Sequence, residues 1–91
     1  MDLQHVRDLV LDLGLDEDAA LEGTKFQVAE LPFVDGRWLG AFYPDKNLIV
    51  VSPEVDEAVV IHEIGHKICW AHFGDLSERG AEMFRKYIMG E

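Results

Sequence analysis

Basic residues are scarce in this chain. Eight lysines and arginines stand against 18 acids, a formal net charge of −10 over 91 residues. A surface of that sign repels a phosphate backbone, so direct nucleic-acid binding is not expected. A basic partner or a basic substrate segment suits it better, although solubility alone accounts for much acidic surface. Cysteine is scarcer still. Cys69 stands alone, which excludes an internal disulfide and fits a reducing compartment. No apolar run reaches the length of a membrane span. The opening stretch from Met1 to Val10 is interrupted by Asp2, Arg7 and Asp8 and lacks the apolar segment of a secretory signal. The expectation is a cytoplasmic protein with no membrane partner. Repeats, low-complexity segments and linkers are also missing, so residues 1–91 are expected to form one domain.

What is present is enough to fold. Apolar residues make up 48% of the chain, well above the disordered range. The core is nonetheless small at this length, and a bound ion would help to hold it.

Leu3, Val6, Leu9, Val10 and Leu13 recur at helical spacing, with Gly14 as a stop. Asp16 can cap a short second helix ending at Gly23. Thr24 to Leu31 alternates in part and reads as a strand that Pro32 ends or marks as an edge. Arg37 to Tyr43 is rich in aromatics and Leu48 to Ser52 in β-branched residues. The turn-forming Pro44-Asp45-Lys46-Asn47 between them predicts a β-hairpin. The longest helix follows, capped by Ser52 or Asp56 and stopped by Gly74 after Phe73. Asp75-Leu76-Ser77-Glu78 resembles a capping box opening a last helix, with Ala81, Phe84 and Ile88 as its apolar stripe. The predicted class is α+β: a short, mostly antiparallel sheet of about three strands, packed on a central helix and a C-terminal helix.

The central helix carries His62-Glu63-Ile64-Gly65-His66, an HExxH run. Histidines four apart lie on one helical face, one turn from each other, and can hold one zinc ion. Glu63 is poorly angled for a third ligand but well placed to take a proton from a water that the ion activates. Gly65 leaves room over the helix for a substrate backbone or a packed strand.

A catalytic zinc needs a third protein ligand. His72 completes an HExxHxxxxxH spacing. In an unbroken helix, however, it sits about 9 Å along the axis from His66 and faces away. Its other reading is a solvated histidine near the helix C-terminus. Glu78 and Glu82 follow the tight Gly74-Asp75 turn, which folds the last helix back beside the HExxH helix. Glu78 is the preferred ligand, with a competing role as capping-box partner of Asp75; Glu82 is the alternative. Cys69 lies on the histidine face, where packing is its simplest role. Tyr43 or Tyr87 could donate a hydrogen bond to a tetrahedral intermediate, with packing as the default. Trp38 and Trp70 read as core or rim residues, and His5 has no evident partner.

HExGH at residues 62–66, followed by Glu78, Ala81, Glu82 and Phe84, resembles the ImmA/IrrE-type metallopeptidases. In that family an HExGH helix precedes a helix of pattern E-x-x-A-N-x-F-A. Gly40-Ala41-Phe42-Tyr43-Pro44-Asp45 and Asn47-Leu48-Ile49-Val50-Val51 look like the hairpin leading into the active-site helix there. The resemblance spans about residues 38 to 88, and the compact minigluzincins share the same core. It implies that His62, His66 and Glu78 ligate Zn2+ and that Glu63 is the catalytic base. It also implies an endopeptidase acting on a protein substrate, such as a DNA-binding repressor of a phage or mobile element. Glu82 stands where the family usually has asparagine, and Gly80 where an acid is common. The competing expectation is a non-catalytic protein-interaction module with a structural zinc, which a filled fourth coordination position would favour. An acidic mimic occupying a DNA-binding partner rests on charge alone.

Overall fold

A computed structural model describes residues 1–31 and 39–91. Pro32, Arg37 and Trp38, to which the sequence assigns a strand end, a strand start and a packing role, lie outside the described residues. Three α-helices and a three-stranded sheet form a small α+β domain, as expected. Among the described residues no helix is long and apolar enough to cross a membrane.

Helix α1 (Leu3–Asp12) starts at Asp2, whose carboxylate accepts the backbone N–H of His5. Gly14, just beyond its end, takes the left-handed conformation with φ 69°. The short helix expected after Asp16 is instead two single turns of 3-10 helix, Leu15–Glu17 and Ala19–Leu21. Asp18 interrupts it by capping the second turn through the N–H of Ala20, so two tight turns replace one helix.

Strand β1 (Lys25–Val28) precedes the hairpin of β2 (Gly40–Tyr43) and β3 (Leu48–Val51). The sheet order is β1-β3-β2. β2 pairs antiparallel with β3, and β1 pairs parallel with it, so the sheet is mixed and β3 is its centre. Centrality explains the run Ile49-Val50-Val51, which is buried throughout: a strand covered on both faces has no polar alternation. Asn47, at the end of the hairpin turn, takes a positive φ of 49°.

Helix α2 (Glu57–Phe73) is capped by Asp56, whose carboxylate accepts the N–H of Val59; Ser52 is not the cap. Gly74 ends it in the left-handed region, with its N–H on the Trp70 carbonyl and that of Asp75 on the Cys69 carbonyl. Helix α3 (Glu78–Met89) begins at Ser77, not Asp75. The Ser77 hydroxyl accepts the N–H of Gly80, while Asp75 accepts the N–H of Ser77 and shapes the turn before it. The Asp75–Glu78 capping box therefore does not form, and Glu78 is the first residue of α3.

One core joins these elements. Val6, Leu9 and Val10 of α1, Ile49 and Val51 of β3, and Val60, Ile61, Ile64 and Ile68 of α2 form a continuous buried cluster. Helix α2 thus lies on the sheet with its inner face in the core. Helix α3 packs along α2.

Candidate metal centre

The motif residues sit mid-way along α2, where the backbone is held at both ends by the Asp56 cap and the Gly74 stop. Ile61 and Ile64 point into the core and leave His62 and His66 one turn apart at its margin. His66 is buried and His62 partly so; their rings meet edge to face, with centroids 4.9 Å apart.

Glu78 closes the arrangement from α3. One of its oxygens lies 2.8 Å from Nε2 of His62, and the other 3.1 Å from Nε2 of His66. Donor atoms around a tetrahedral zinc with bonds of about 2.0–2.2 Å stand roughly 3.3 Å apart, so this convergence is close to what an ion requires. The donor set of two imidazoles and a carboxylate suits a divalent transition metal. One ligand atom each from His62, Glu63 and His66 also falls within 4.8 Å of the others, which brings Glu63 into reach of the same point. Glu78 thus bridges both Nε2 atoms from α3, while Glu63 is the carboxylate grouped with the histidines on α2; either could complete a donor set.

Glu82 meets the other side of the His62 ring. Its Oε2 is 2.9 Å from Nδ1, so it holds the ring and does not share the Nε2 point. His72 is not brought to the cluster. Helix α2 is unbroken through Phe73, and His72 Nε2 lies 3.6 Å from an Asp18 carboxylate instead. Cys69 is at the seam of α2 and α3, where a Cβ on Gly80 would stand 3.5 Å from its sulfur. Tyr87 is 82% exposed, whereas Tyr43 lines the site's hollow. Trp70 is a partly exposed rim residue. His5 does have a partner, Glu57 at 3.2 Å.

Two glycines make the geometry possible. A Cβ on Gly65 would come within 2.9 Å of the Ala81 carbonyl and 3.0 Å of the Phe84 ring. The room over Gly65 is therefore filled by α3, and neither a strand nor a substrate backbone occupies it. Gly40 on β2 does the same for Glu63: a Cβ there would lie 2.7 Å from its Cγ. Sequence reasoning missed Gly40, whose only signal was a glycine opening a strand that leads to an HExxH helix.

Charge at the site is set by burial and neighbours. Burial pushes the Glu63 carboxyl up to about 7; the positive charge of His62 opposes this and the negative charge of Glu78 adds to it. Burial alone would lower His62. Hydrogen bonds to Glu82 and Glu78 outweigh that and raise it above the ordinary 6.5. Both ring nitrogens of His62 face carboxylates, so without an ion the ring needs a proton on each. That second proton stands between Nε2 and Glu78, where an ion would lie.

Two adjoining hollows, of about 390 and 310 Å³, flank the cluster and share Gly40, Glu63 and Glu78. The first is walled by Leu39, Ala58 and Val59, the second by Phe42, Tyr43 and Leu76. They form a trough along β2. Among the described residues no strand pairs with the outer edge of β2. No family model, curated protein or solved structure matches this chain.

Proposed function

We propose that the chain is a zinc-dependent endopeptidase of gluzincin type, as the motif resemblance to ImmA/IrrE-type proteins implies. The observation that carries this reading is the convergence of His62 Nε2 and His66 Nε2 on one Glu78 carboxylate, with Glu63 buried beside them at the join of two hollows. His62, His66 and Glu78 would hold the ion. When bound, zinc supplies Lewis-acid polarisation of the scissile carbonyl and acidifies a water.

The remaining chemistry belongs to the chain's own groups. Glu63 takes the proton of the attacking water and delivers it to the leaving amine, and a carboxyl near 7 suits both transfers at neutral pH. The outer edge of β2 offers backbone groups to an extended substrate, which adds as a strand. The charge of −10 favours a basic segment, and a DNA-binding repressor fits that description. The lone free cysteine supports a cytoplasmic setting.

The alternative, a structural zinc in an interaction module, calls for a fourth protein ligand. His72 faces Asp18 and Cys69 the Gly80 seam, so in that reading the fourth ligand would be Glu63, grouped with the two histidines. The deciding experiment compares wild type with Glu63→Gln for zinc content and for cleavage of basic peptides and repressor domains. The variant should keep its zinc and lose about 10²- to 10⁴-fold in rate. Equal cleavage by both proteins would sink the mechanism. Unfolding on chelation with no cleavage by wild type would favour the interaction module.

A further inference from the structure

Glu82 divides its two oxygens between two partners. Oε2 faces Nδ1 of His62 at 2.9 Å. Oε1 accepts the Nε–H of Arg85 at 2.7 Å, and Nη2 stands 2.6 Å from the same oxygen in an ion pair. Arg85 is itself anchored on the other side, where Nη1 donates to the Glu91 carboxylate at 2.8 Å. Its side chain is only 14% exposed, although it carries a full charge. A chain of contacts thus runs from Glu91 through Arg85 and Glu82 to the back of His62.

Among the described residues, Arg85 is the partner that holds Oε1 of Glu82; without it only the contact of Oε2 with His62 remains. Glu82 follows Glu78 by one turn on the same face of α3. A carboxylate freed there could swing round the ring of His62 and compete with Glu78 for the Nε2 side.

We propose that Arg85 is a positioning residue of the metal centre: by occupying Oε1 of Glu82 it fixes Oε2 as the acceptor for His62 Nδ1–H. That keeps Nε2 directed at the ion and keeps Glu82 off it. The role rests on His62, His66 and Glu78 being the ligands. Arginine is suited to it because its planar guanidinium donates Nε–H to Glu82 while Nη1 and Nη2 reach Glu91. A lysine ammonium cannot span both.

Arg85→Met removes the fork and keeps much of the stem. Two readouts apply. In metal-free protein, long-range nitrogen NMR reports the His62 Nδ1–H and its hydrogen bond. Competition with a chromophoric chelator reports zinc affinity. The variant should lose the hydrogen-bonded Nδ1–H signal and bind zinc about tenfold more weakly, or worse. In a Glu82→Gln background the same substitution should cost no further affinity, because Arg85 acts through Glu82. Arg85→Lys should give a partial change in the same direction, and it replaces the methionine variant if that protein does not fold. An unchanged His62 signal, or an equal affinity loss with and without Glu82, overturns the proposal. Wild type that binds no zinc would defeat the peptidase reading instead, and the metal-free NMR signal would still decide the role of Arg85.

Discussion

Gly65 of α2 lies against Ala81 of α3 so closely that a Cβ on the glycine would stand 2.9 Å from the alanine carbonyl oxygen. Ala81 is fully buried, and its backbone has no room to retreat. The pair sets the separation of the helices that carry His62 and His66 on one side and Glu78 on the other. Gly65→Ala gains about 1 kcal/mol of helix propensity. Forcing the helices apart costs about 1–3 kcal/mol, so the overpacking should win. The melting temperature is expected to fall by several degrees, roughly 4–8 °C per kcal/mol in a domain of this size. Zinc affinity should fall with it, since Glu78 moves with α3. A variant more stable than wild type would show that the seam is looser than described.

Gly40→Ala tests the same principle on Glu63, the proposed base. The new methyl would meet Cγ of Glu63 at 2.7 Å and its Oε2 at 3.0 Å. Gly40 has no positive φ, so alanine fits the backbone and the clash falls on Glu63 alone. A displaced general base costs on the order of 10²-fold in turnover. The expected outcome is lost activity with zinc retained, measured as kcat against metal content. Loss of zinc as well would mean that Glu63 is a ligand, which its closeness to both histidines also allows.

The motif and its helix were legible because every cue is local. The HExxH spacing, the Asp56 cap and the Gly74 stop lie on one continuous segment. The three candidate third ligands could be named from residue type, but the choice between Glu78 and Glu82 depends on where α3 begins. Two residues competed to cap it. Ser77 won because its hydroxyl reaches Gly80, where the absence of a side chain leaves space. That puts Glu78 one turn ahead of Glu82 and aims the two at opposite sides of His62. The contact between Gly40 and Glu63 spans a strand and a helix, and the parallel pairing of β1 with β3 requires a crossover. Neither leaves a periodic trace in the sequence.

Ser77→Ala should uncouple stability from chemistry. Losing this cap costs about 1 kcal/mol. The effect should concentrate in the first turn of α3, where Glu78 sits. Hydrogen exchange at Gly80 should rise, and zinc affinity should weaken while Glu63 stays in place. Unaltered exchange at Gly80 would place the cap elsewhere, with Asp75 the next candidate.

Cys69 should be a poor nucleophile despite being the lone thiol. Burial pushes its pKa up, and the negative charge of Asp75 adds to the effect. The reactive thiolate is correspondingly rare at neutral pH. Alkylation should be slower than that of a free cysteine at the same pH and should speed up on denaturation. A rate equal to that of the unfolded chain would contradict the packing of α2 against α3.

On the proposed ligand set, zinc and protons would compete for one place, the gap between His62 Nε2 and Glu78. The pKa of His62 is raised, so the ring keeps its second proton to a higher pH than an isolated histidine. The sign follows directly. Below the raised pKa, binding must expel that proton, and affinity drops as pH falls; above it the proton is already gone, and affinity levels off. The drop approaches tenfold per pH unit for each proton displaced. Calorimetric titrations in two buffers of different ionisation enthalpy would count the protons released, with more expected near pH 6 than near pH 8. Affinity flat across that range would mean that the ion does not sit on the Nε2 side of His62. His62→Ala should remove most of the pH dependence along with most of the binding.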